Sequence, residues 1–146
     1  MKKTILFTSV LMIFALILAL SGCGAALKEA SALKEYEMGK DNVLSITSVI
    51  GEREVTGVES GINNGIVSKQ YIYVSETVYD DLLAYVTALM DQGWLVTKDI
   101  DLNVVPGSGE LGKKSAADDG QILLLSFTYE ESGYVIKIVK GEGTLE

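Results

Sequence analysis

The chain of 146 residues has no histidine, one cysteine, one proline and one tryptophan, and it sets 12 lysines and arginines against 20 aspartates and glutamates. Each shortage excludes something. Without histidine, the commonest general base and the commonest metal ligand are both missing. One cysteine allows no internal disulfide, so the fold rests on its apolar core, which a domain of about 100 residues can supply with a modest margin. A net charge of −8 leaves no basic patch to meet a phosphate backbone, which argues against nucleic acid as a partner.

What is present begins at the front. Lys2 and Lys3 give a positive start, residues 5–20 form an apolar run broken only by Thr8 and Ser9, and Leu20, Ser21, Gly22 and Cys23 follow. A positive end, an apolar centre and small residues at a cut site are the parts of a secretory signal. The run is shorter than the about 20 apolar residues of a membrane-spanning helix. The Leu-Ser-Gly-Cys ending resembles the lipobox of bacterial lipoproteins. That resemblance implies that Cys23 receives a diacylglyceryl group and becomes the first residue of the mature chain, after loss of a signal peptide at 1–22. It implies attachment to the cell membrane on the extracytoplasmic side, with Cys23 as the lipidation site and no other cofactor. A thiolate is the soft nucleophile such a thioether needs, and two acyl chains anchor stably where one does not. Gly24 stands where some lipoproteins carry an Asp that retains them at the inner membrane. Cleavage would remove Lys2 and Lys3, the only charged residues before Cys23, and move the net charge from −8 to −10. An acidic body is repelled by an anionic membrane, so lipid rather than charge would hold it there.

Behind Cys23, the nearly repeated ALKEA and SALKEY favour helix. Residues 23–41 therefore read as a helix-prone tether, holding a domain at 42–146 roughly 20–25 Å off the membrane. Within that domain, β-branched residues at 42–50 predict a strand, and 54–58 a short one. Asn63, Asn64 and Gly65 mark a loop, and QYIYV ends a strand over 66–74. Thr77 with Asp80 suggests a capped helix start. Val78, Leu82, Tyr85, Val86 and Leu89 recur at helical spacing, predicting an amphipathic helix over 77–92 that Gly93 ends, with Trp94 folded back on it. Residues 95–104 and 121–129 predict strands, 107–120 a long polar loop, and 130–133 a hairpin turn into a last strand at 134–139. The fold class this gives is α+β: a mostly antiparallel sheet of about four to five strands with one amphipathic helix packed on one face.

Several motifs invite chemistry. Gly107, Gly112 and Lys113 nearly make a phosphate-binding loop, but Lys114 occupies the hydroxyl position and Ser115 comes one place late. SAADDG, which follows, is too short for the helix that such a loop opens. Nucleotide is therefore not expected as a partner. Asp99, Asp101, Asn103 and Glu110 fall at positions 1, 3, 5 and 12 of a calcium loop of the EF-hand type, although Val104 replaces the turn glycine. Their alternation with Ile100, Leu102 and Val104 equally describes a half-buried strand. Adjacent carboxylates at Asp80–Asp81 and Asp118–Asp119 do not face each other across a cleft as glycoside hydrolysis requires. Tyr71 and Tyr73 share a strand face and form a candidate binding surface for a protein, peptide or glycan, or else ordinary sheet packing.

KQYIYV, the DDLLAYV and DQGWLVTKDIDL segments and TYEESGYVIKIVKGEGTL also resemble small lipoproteins of Gram-positive bacteria, a likeness that brings no catalytic residues with it. The functional expectation is a membrane-anchored, non-catalytic binding or interaction module of the cell envelope. The alternatives are a weak calcium-binding or sensory protein using 99–110 and, less favoured by the missing histidine, a small hydrolase.

Overall fold

A computed structural model describes residues 24–146. Cys23 and the signal-like segment before it lie outside the described residues.

Helix α1 (Gly24–Ala30) leads into strands β1 (Glu35–Met38) and β2 (Asp41–Leu44). Helix α2 (Ile46–Ile50), β3 (Glu54–Asn63), β4 (Ile66–Val74) and helix α3 (Val78–Asp91) follow. The chain ends with β5 (Leu95–Lys98), β6 (Gly107–Lys114), β7 (Gln121–Glu130) and β8 (Gly133–Glu142). Strands β1 and β2 pair with each other, and the other six make an antiparallel sheet in the order β3-β4-β8-β7-β6-β5. The order follows from one long connection. After the β3–β4 hairpin, α3 carries the chain to the far edge, and β5 to β8 return strand by strand until β8 closes against β4.

One face of this sheet is covered. Tyr71 and Tyr73 of β4, Leu123, Leu125, Phe127 and Tyr129 of β7, and Tyr134, Ile136 and Ile138 of β8 form the core with Leu82, Tyr85 and Leu89 of α3 and Tyr36, Met38 and Ile46 of the amino-terminal elements. The α3 stripe is the one the sequence periodicity predicts, and its end is a Schellman cap. Gly93 has φ 87°, its N–H donates to the Met90 carbonyl at 2.9 Å, and the Trp94 N–H reaches back to the Leu89 carbonyl at 3.1 Å. The Thr77 hydroxyl does not cap the backbone; it donates to the Asp81 carboxylate at 3.0 Å instead.

Six expectations are corrected. The sheet has six strands rather than four to five. Residues 24–41 are not a tether: Ala30, Tyr36 and Met38 are core residues, because the ring of Tyr36 stacks on Tyr71 at 4.6 Å between centroids. Residues 42–50 are a strand only to Leu44. Ser45 then caps α2 by accepting the Ser48 N–H at 3.1 Å, and this local bond overrides the β-branched composition. Strand β3 runs on to Asn63, where Asn64 and Gly65, both at positive φ, make a two-residue hairpin turn. The predicted strand at 95–104 stops at Lys98, and the predicted loop at 107–120 is largely β6. Its glycines belong to a strand lying under aromatic rings. A Cβ on Gly107 would meet the Tyr129 hydroxyl, and one on Gly109 would lie 2.6 Å from the Phe127 ring.

Candidate binding groove

The structure disperses the residues that the sequence suggested as sites. Tyr71 and Tyr73 are 4% and 1% exposed and lie on the covered face, not the open one. The Tyr73 hydroxyl is 2.6 Å from that of Tyr36, and its ring lies 5.5 Å from Tyr134. Burial pushes both the Tyr73 and the Tyr134 phenol well above the ordinary tyrosine value. They fasten the β1–β2 hairpin to the sheet and offer no surface to a ligand.

The four candidate calcium ligands are not gathered. Asp101 turns its carboxylate onto Asn103, accepting its backbone N–H at 3.1 Å and its side-chain amide at 3.2 Å. Glu110 sits on β6, bound by Thr97 at 2.8 Å and Lys98 at 3.3 Å. Asp99 is exposed on the segment after β5. Among the described residues no group of three or more Asp, Glu, Cys or His is disposed to hold a metal ion. The near-Walker glycines are in β6, Gly107 paired with Tyr129 and Gly112 paired with Leu95 on one side and Leu124 on the other, and so do not form a loop.

The paired carboxylates diverge into separate tasks. Asp81 is 3% exposed and receives Arg53 through Nε at 2.9 Å and Nη2 at 2.7 Å. It also accepts the hydroxyls of Ser75 at 2.6 Å and Tyr134 at 3.0 Å. Burial alone would raise this carboxyl; the Arg53, Ser75, Tyr134 and Thr77 donors outweigh it and hold it below its ordinary value. Asp118 bonds Lys140 at 2.6 Å, and Lys140 also bonds Asp41 at 2.7 Å. Asp41 accepts the backbone N–H groups of Ala116 and Ala117 at 3.1 and 3.2 Å. Burial would lower the Lys140 ammonium, but Asp118 and Asp41 keep it above the usual lysine value. Both clusters are satisfied from within the protein. They join distant segments.

Asp80 points the other way. It lies with Glu76, Glu130 and Glu131 around a hollow of ≈ 310 Å³ whose floor is Val78, Leu82, Leu102, Val105 and Tyr129. Helix α3 supplies one wall, the β7–β8 turn a second, and the segment between β5 and β6 a third. That segment is fixed by the Tyr129 hydroxyl, which donates to the Asp101 carbonyl at 2.6 Å. All four rim carboxylates are exposed, no lysine or arginine lines the hollow, and none of the four forms an ion pair among the described residues. Tyr79, in the wall, begins an apolar stripe. Leu83 and Met90 continue it at i+4 and i+11, and the three are 46%, 46% and 52% exposed. A larger and more open trough of ≈ 620 Å³ lies on the other side of the same sheet end, over Ile72, Val135 and Thr128; it lacks this concentration of one charge. The smaller hollow is therefore the candidate groove. Its sequence signal was legible in part: Tyr79, Leu83 and Met90 share a helix face beside the buried stripe, but nothing local reveals that Glu130 and Glu131 come to stand opposite Glu76 and Asp80.

An apolar floor under an unneutralised acidic rim is equipped to hold a cationic group attached to an apolar one. Fold and site together define a class, a small α+β protein with a one-side-covered antiparallel sheet and an acidic groove at one end. Compared with known protein families, curated proteins and solved structures, the chain matches none.

Proposed function

We propose that this protein is an extracytoplasmic lipoprotein, attached through diacylglyceryl on Cys23, that serves as a non-catalytic binding module for a basic peptide segment of an envelope protein. The location rests on the signal-like segment and its Leu-Ser-Gly-Cys ending. The binding role rests on one observation, the apolar groove of ≈ 310 Å³ with four carboxylates and no cation at its rim. Lysine or arginine side chains would meet the rim while an apolar neighbour enters between Val78, Leu82 and Val105. No helix among the described residues is long and apolar enough to cross a membrane.

The test is fluorescence anisotropy of a labelled peptide of lysine, leucine and phenylalanine with the detergent-extracted protein. Binding should weaken about two- to fivefold for each of Asp80→Asn, Glu130→Gln and Glu131→Gln, weaken again with added salt, and fall further with the uncharged Val105→Ser in the floor. Equal affinity for the parent and the triple rim variant would remove the groove from the account.

A further inference from the structure

The uncovered face of the sheet has a pattern that the groove does not use. One row of directly opposed residues crosses all six strands: Glu59 on β3, Gln70 on β4, Lys137 on β8, Ser126 on β7, Glu110 on β6 and Lys98 on β5. Lys137 lies between Ile136 and Ile138, and Ser126 between Leu125 and Phe127. Those four are core residues, so the row lies on the open side. The row carries two positive and two negative charges, on a chain whose net charge is −8. This face is thus one region where two acidic copies can meet without electrostatic penalty.

The order of the row matters more than its sum. Read from either edge, it is complementary to its own reverse. A two-fold axis parallel to the strands, between β7 and β8, sets Glu59 against Lys98 of a second copy, Gln70 against Glu110, and Lys137 against Ser126. An axis along the row would instead oppose each charge to itself. The neighbouring row obeys the same operation by size. It runs Gly61, Ser68, Val139, Leu124, Gly112, Leu95, and the side chain of Leu145 occupies the space over Gly112. Reversed, Val139 meets Leu124, and the bulk of Leu145 and Leu95 comes over the small Ser68 and Gly61. Six strands at about 4.8 Å and about eight residues at about 3.4 Å make a face of roughly 700–800 Å², close to the about 800 Å² per partner of a stable interface. We infer that this face is the interface of a symmetric homodimer, two sheets packed face to face about an axis along their strands. The groove lies on the opposite side of the sheet and stays open in both copies.

The decisive test exploits distance. Glu59 and Lys98 stand at opposite edges, five strand spacings or about 24 Å apart, so they cannot compensate each other within one copy. Membranes carrying the full-length protein with Ser126→Cys are treated with a short bismaleimide. The parent chain, whose only cysteine is Cys23, serves as the blank, and Ala84→Cys on the outer face of α3 as the off-interface control. The Ser126→Cys chain should give a dimer band well above both. Lys98 also holds Glu110 of its own copy at 3.3 Å, so Lys98→Glu is made together with Glu110→Gln. Adding Glu59→Lys or this Lys98→Glu change should each lower the band about tenfold, as two attractive contacts per dimer turn repulsive, and the two together should restore it. The melting temperature of each variant reports its fold separately. A missing band, or a band indifferent to the single reversals, or a double reversal no better than the singles at equal melting temperature, overturns the dimer; none of these outcomes bears on the groove.

Discussion

Asp81 joins four parts of the chain through one buried carboxylate: Arg53 before β3, Ser75 after β4, its own helix α3, and Tyr134 of β8. Breaking a buried, hydrogen-bonded charge pair leaves its partner groups unmatched, so Asp81→Asn should lower the unfolding free energy by about 3 kcal/mol, read by urea denaturation at neutral pH. The sign of the pH dependence follows from the direction of the shift. A carboxyl held below its ordinary value contributes fully above the unfolded-chain pKa and loses that contribution as pH falls through its lowered folded value. The gap between the native protein and Asp81→Asn should therefore narrow in acid. A gap that widened with acid, or a variant as stable as its parent at neutral pH, would contradict this role. Asp41 is held low as well: burial alone would raise it, and the bonds from Lys140 and Ser115 outweigh that. It adds a second acid-sensitive tie, between β2, the β6–β7 connection and β8.

At the scale of elements, β6 shows how strand formation can be set by residues far away in sequence. GSGELGKK has no β-forming composition, and its glycines read as loop. They are tolerated because rings and side chains from β7 and beyond occupy the space where their own would be. Gly109→Ala places a Cβ 2.6 Å from the Phe127 ring and 2.7 Å from Ile100, which should destabilise the protein by about 1–3 kcal/mol. A neutral Gly109→Ala in thermal or urea unfolding would show that β6 does not need this close approach. The same contrast explains what was legible. Helix α3, its glycine end and the β7–β8 hairpin are written in local pattern: apolar spacing, Gly93, and a two-residue turn at Glu131 and Ser132. The strand β6, the helix α2 and the docking of 24–41 are not, since each depends on a tertiary partner or a single cap. Tyr71 and Tyr73 show the limit for sites. Alternation puts both on one face, but only the position of Tyr36, 35 and 37 residues earlier in the chain, shows that this face is the buried one.

At the scale of the whole molecule, the folded amino-terminal segment changes where the body would sit. Helix α1 begins directly after Cys23 and Ala30 is already core. A lipid on Cys23 would thus be separated from the core by one short helix, about 10 Å long, rather than by a free tether. The domain would be held close to the membrane. A two-fold axis along the strands keeps the two chain starts at equal height, so a dimer could place both anchors in one bilayer. The location beneath all of this is decided by the intact mass of the protein extracted from its native membrane. The account predicts a chain that starts at residue 23 and carries the added mass of a diacylglyceryl group on Cys23. A chain that retains residues 1–22, or one whose Cys23 is unmodified, would contradict it.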